Sequence, residues 1–144
     1  VYFQALIAPA GPGGRCLDAA SNDDLTLFLS EYIVAELRDV CLRPKIAAKF
    51  DISLARLDDY EARLKSCSTL VDDVPHVFSY ERDPKDEHYV DLAIATNSEL
   101  VVSRDKDLLA LADSEDPVAR DFRTRFPEIK IITPVDLLEK LDTR

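Results

Sequence analysis

Three acids occupy positions where an ordinary surface carboxylate is not the whole explanation. In SEYIVAELRDVC (residues 30–41) the apolar stripe runs Ile33, Leu37, Val40, Cys41. Glu36, three residues after Ile33 and four before Val40, falls on the same helical face. An inward carboxylate is costly unless a cation meets it, either a nearby Arg or Lys at the edge of the stripe or a bound ion. In RDPKDE (residues 82–87), Asp83 reads as a helix cap, Pro84 as the first helical residue and Asp86 as the acid that turns back to the cap. Asp86 also shares a helix face with Val90, Ala93 and Asn97, which points it towards a sheet. In SRDKD (residues 103–107), Asp105 follows the apolar run LVVS and either caps the next helix or does chemistry at the end of a strand. Asp107 is a first-turn acid favoured by the helix dipole, or a supplementary ligand.

Each signal is weak by itself, but the three follow different strands. In an open parallel sheet, ligands bind beyond the carboxyl ends of the strands, so Glu36, Asp86 and Asp105 can converge on one pocket. Converging carboxylates repel one another, and such a cluster persists only with a cation in it or with some acids protonated. All-oxygen ligation selects hard ions, so Mg²⁺ or Mn²⁺ is the expected occupant. An ion so held acidifies a coordinated water and neutralises charge on a phosphodiester.

The elements that must position these acids alternate. Helices are predicted at 1–8, 15–22, 31–42, 45–50, 53–69, 83–97, 107–113, 117–126 and 134–141, the last with Pro134 in its first turn. Ser30 stands where a helix cap belongs, Pro44 closes the helix before it, and Asp51 or Ser53 caps the next. PAGPGG (residues 9–14) reads as a breaker holding all three glycines. Short apolar strands are predicted at LTLFLS (25–30), HVFSY (76–80), LVVS (100–103) and KIIT (130–133). Strands alternating with amphipathic helices predict an α/β fold, a parallel sheet wrapped by helices on both faces.

At 144 residues the chain suits one domain. With 47% apolar and 32% charged residues it has an ordinary globular composition, and no apolar run reaches the roughly 20 residues that span a bilayer. Cys16, Cys41 and Cys67 form no close pair that could clamp zinc or exchange thiols, so reduced thiols in a cytoplasmic protein are expected. A net charge of −10 repels nucleic acid at long range, so any nucleic-acid chemistry needs a metal, a local basic patch or a basic partner.

Two segments, RDPKDEHYVDLAIATNSELVVSRDKDLLAL (82–111) and SEYIVAELRDVCLRPK (30–45), closely resemble the PIN-domain nucleases, in particular the branch described as toxins of toxin–antitoxin pairs. The resemblance implies a single PIN-like domain, a three-layer α/β/α sandwich with a mostly parallel central sheet. It also implies a Mg²⁺- or Mn²⁺-dependent endonuclease directed at RNA, a homodimer, and inhibition by a small basic antitoxin. Carried over by position, Glu36, Asp86 and Asp105 hold the metal, with Glu87 and Asp107 as adjacent ligand candidates. Ser103 takes the place of a small hydroxyl at the metal-bound groups, and Arg104 and Lys106, which flank Asp105, are placed to steer a phosphate backbone.

The family's first acid ends a strand immediately before the helix that begins here at Val1, and the expectation is that a strand bearing it precedes Val1 in the natural protein. Without that acid, the rival reading is a non-catalytic PIN-like module that binds an antitoxin or RNA. A phosphoacceptor receiver domain fits poorly, because no Asp-Asp pair follows a first strand. His88 reads as a helix-surface residue, His76 carries little signal, and the 53–69 helix offers Leu54, Leu57 and Leu64 as a face for a partner or second subunit.

Overall fold

The computed structural model describes residues 1–143 and has an α/β fold of helices and short parallel strands. It comprises two compact units, Val1–Asp72 and Asp73–Arg144.

In the first unit α1 (Tyr2–Ile7) and α2 (Pro12–Ser21) precede β1 (Phe28–Ser30). Then come α3 (Glu31–Cys41), α4 (Pro44–Phe50), α5 (Leu54–Ser66) and β2 (Thr69–Val71), which pairs parallel with β1. Ser30 caps α3, its hydroxyl accepting from Ile33 N at 3.3 Å, and Ser53 caps α5 by accepting from Arg56 N. Asp51 instead ends α4 in the left-handed conformation, which short polar residues tolerate. Arg56 donates to the carbonyls of Phe50 (2.8 Å), Asp51 (3.2 Å) and Leu6 (3.0 Å), placing one guanidinium at the carboxyl ends of both α1 and α4. Leu29, Cys41, Leu57 and Leu64 are fully buried in this unit. Leu57 and Leu64 are therefore core, and only Leu54 of the expected partner face is exposed.

PAGPGG is not a breaker throughout. The chain turns at 8–11 and α2 starts at Pro12, whose fixed φ suits the first helical position. Gly13 and Gly14 lie inside the helix, and a Cβ on Gly14 would come within 1.9 Å of the Pro9 carbonyl oxygen. The sequence also extends α5 too far: the hydroxyls of Ser66 and Ser68 donate back to the carbonyls of Arg63 and Leu64, and Thr69 N then joins Leu27 O to begin the β2 ladder.

The second unit holds a 3₁₀ turn (Pro84–Asp86), α6 (Glu87–Thr96), β3 (Leu100–Val102), α7 (Lys106–Asp113), α8 (Pro117–Arg125), β4 (Lys130–Ile132) and α9 (Pro134–Asp142). β3 pairs parallel with β4. Its core gathers Phe78, Val90, Val101, Leu108, Leu111 and Phe122, with Phe78 edge-on to Phe122 at 5.5 Å. HVFSY forms no strand. Its alternation is genuine, with Phe78 and Tyr80 buried and Val77 exposed, but its N–H groups go to side-chain carboxylates of α6 instead of to a ladder.

Gly14 tests the packing of α2 against the turn at Pro9. Gly14→Ala gains about 1 kcal/mol of helix propensity but forces a methyl against backbone, and overpacking of this kind costs about 1–3 kcal/mol. A net loss of unfolding free energy is expected in urea titration; an unchanged or raised midpoint would contradict the packing.

Candidate metal centre

The second unit brings Asp83, Asp86 and Asp105 together, each offering a carboxylate oxygen within 4.8 Å of the others. Local chemistry places each one. Asp83 caps the 3₁₀ turn, accepting from Lys85 N at 3.2 Å, while its carbonyl accepts from Asp86 N at 3.0 Å. Because side chains at i and i+3 eclipse in a 3₁₀ turn, Asp83 and Asp86 share one side. Asp86 sits where this turn passes into α6 and is 4% exposed.

Asp105 reaches the cluster from the other direction. The β3–β4 ladder runs on through Ser103 N to Ile132 O at 2.8 Å, and the Ser103 hydroxyl accepts from Asp105 N at 3.0 Å. Asp105 then caps α7, one oxygen accepting from Asp107 N at 2.8 Å. Two of the acids weighed in the sequence, Asp86 and Asp105, thus share a site, and the third member, Asp83, had been explained there by its capping role alone.

The other expected residues lie as follows. Glu36 belongs to the first unit, half-buried on α3, and its Oε2 is buried without a hydrogen-bond partner among the described residues. The cation nearest in sequence, Arg38, is committed to Asp58 at 2.9 Å and Glu61 at 3.4 Å. Glu87 turns from the cluster: its Oε2 accepts from Tyr80 N at 2.6 Å and its Oε1 lies 3.9 Å from His76 Nε2. Asp107 is held by Arg82, Nε to Oδ1 at 2.7 Å, and its carbonyl accepts from the Tyr80 hydroxyl at 2.6 Å. Arg104 and Lys106 are exposed on either side of Asp105.

The donor set fits a hard divalent ion. Three carboxylates this close repel strongly, a bound cation relieves that repulsion, and oxygen-only ligation favours Mg²⁺ or Mn²⁺. Within the first unit, Glu36 Oε2, without a partner among the described residues, is a buried polar atom of the kind that calls for a compensating group.

Sequence reasoning missed Asp91. It is 4% exposed on α6, one oxygen accepting from Val77 N (3.0 Å) and Phe78 N (2.8 Å) and the other 2.9 Å from His76 Nδ1. The one signal available was an acid set inside the apolar run VDLAIA. The hydrogen bond to Asp91, and then its charge, raise the His76 pKa above the ordinary 6.5.

Residues 1–107 match the family described as PIN domain, a span that runs from α1 into the first turn of α7 and includes every acid named above. Over 142 residues the chain is 25% identical to an uncharacterised protein of Methanocaldococcus jannaschii, covering 99% of this chain and 87% of that protein. No solved structure gives a significant match.

His76 supplies a pH test of this unit. A folded-state pKa raised above the unfolded value means that the His76–Asp91 interaction is fully present below about pH 6.5 and is lost as pH rises through the folded pKa. An NMR titration of the imidazole should give a value above 6.5 that falls back in Asp91→Asn; a wild-type value at or below 6.5 would contradict the pairing.

Proposed function

Because the chain belongs to the PIN domain family, whose members are generally metal-dependent nucleases, we propose that it is a Mg²⁺- or Mn²⁺-dependent endoribonuclease and the toxin of a toxin–antitoxin pair. The observation that carries the reading is the meeting of three carboxylate oxygens within 4.8 Å at the end of β3. In this reading Asp83, Asp86 and Asp105 hold the ion. Glu36 keeps the ligand role that the resemblance implies, supported within its own unit by its orphaned buried oxygen. The ion, when bound, supplies an acidified water and neutralises charge on the phosphodiester.

The remaining roles fall to the chain's own side chains. Ser103 fixes the backbone of Asp105, so the carboxylate is presented by a rigid cap instead of a mobile loop. Arg104 and Lys106 meet the phosphate backbone on either side of it, a local positive charge that a chain of net charge −10 needs at its substrate site. The same acidity favours a small basic antitoxin as partner, through complementary charge. A homodimer completes the proposal.

The test is Asp105→Asn. Asparagine also caps helices well, so α7 and the thermal midpoint should be nearly unchanged. Cleavage of RNA in Mn²⁺ should fall by more than about 100-fold, beyond the 10–100-fold typical of groups that only orient a ligand. Retained cleavage would contradict the assignment, and a wild-type chain that binds no Mn²⁺ would favour the non-catalytic module.

A further inference from the structure

Residues 76–83 are held in an unusual way. They form no strand, yet both ends are fastened to α6 and α7, the helices beside the acid cluster. At one end Asp91 takes the N–H groups of Val77 and Phe78, and Glu87, one turn earlier on α6, takes that of Tyr80 at 2.6 Å. At the other end the Tyr80 hydroxyl donates to the Asp107 carbonyl at 2.6 Å and Arg82 donates to the Asp107 carboxylate at 2.7 Å. Asp107 N in turn donates to Asp105.

We propose that this segment is a brace that sets the spacing of Asp83, Asp86 and Asp105, and that Arg82, Glu87 and Asp107 are positioning residues of the centre and not ligands. The proposal rests on the metal-nuclease reading above. Three like charges within 4.8 Å drive their backbones apart, so the fold must hold them before an ion arrives. The residues preceding Asp83 are tied to α6, which begins beside Asp86, and to the first turn of α7, which Asp105 caps. One segment therefore fastens all three acids. All but the Tyr80–Asp107 carbonyl bond are charge-assisted, the stronger class of hydrogen bond. They also commit the two neighbouring carboxylates: Glu87 is spent on a backbone N–H, and Asp107 already faces the guanidinium of Arg82, whose charge opposes a second cation there.

Calorimetric titration of Mn²⁺ into the full chain tests this without relying on activity. Arg82→Met, at a half-exposed position, should weaken Mn²⁺ binding by roughly 10-fold, within the range for groups that orient metal ligands. Asp107→Ala should do the same, and the double variant should lose no more than the larger single loss, because both remove the Arg82–Asp107 contact. Arg82→Lys, which keeps a donor, should recover part of the affinity, and Tyr80→Phe should give a smaller loss of the same sign. Wild-type affinity in Arg82→Met would overturn the brace, as would losses that multiply in the double variant, which would make Asp107 a ligand. Asp86→Asn separates the two ideas: if it too retains full Mn²⁺ binding, the metal reading itself fails.

Discussion

Mutual repulsion of Asp83, Asp86 and Asp105 is the constraint on which the second unit turns. In water, charges about 4 Å apart interact by about 1 kcal/mol, and near a protein surface by about 4 kcal/mol. With Asp86 buried, the cost lies towards the larger figure. The sequence meets it with inexpensive local devices. A proline-led 3₁₀ turn fixes Asp83 and Asp86 on one side, a hydroxyl from Ser103 fixes Asp105, and the two caps give two of the acids N–H partners that offset part of the repulsion. Each of these bonds is made within the chain itself, the kind of fixed geometry that preorganisation for a cation requires.

The first unit meets a related cost differently. Arg56 satisfies the ends of two helices with one side chain, and the Tyr60 hydroxyl donates to the Tyr2 carbonyl at 2.6 Å, so α5 ties down α1 through polar contacts to its main chain. Burial pushes both tyrosine hydroxyls well above the usual range, which keeps Tyr60 protonated as the donor in this bond. Against this background Glu36 Oε2, buried without a hydrogen-bond partner among the described residues, stands apart.

Caps and prolines were the legible part of the fold. Ser30, Ser53, Asp83, Asp105 and Pro134 all act as their local chemistry dictates, because a cap depends on residues within one turn. HVFSY shows the limit of that reading. Its period-two alternation correctly reports which side chains are buried, but periodicity says nothing about what receives the N–H groups, and here two carboxylates replace a neighbouring strand. The acid cluster was half legible for a similar reason. Asp86 and Asp105 were visible as acids following apolar runs, whereas Asp83 had a complete explanation as a cap and gave no cause to look further. The partners of Glu87 and Asp107 were invisible, since Tyr80 and Arg82 reach them from a segment whose path the sequence misread.

In the proposed reading Asp83, Asp86 and Asp105 hold a divalent cation. Anomalous diffraction from crystals of the protein grown with Mn²⁺ tests it most directly. A manganese peak is expected at roughly 2 to 2.5 Å from carboxylate oxygens of these residues, with Asp107 still paired to Arg82. A peak at other residues, or none at a Mn²⁺ concentration that supports cleavage, would contradict it.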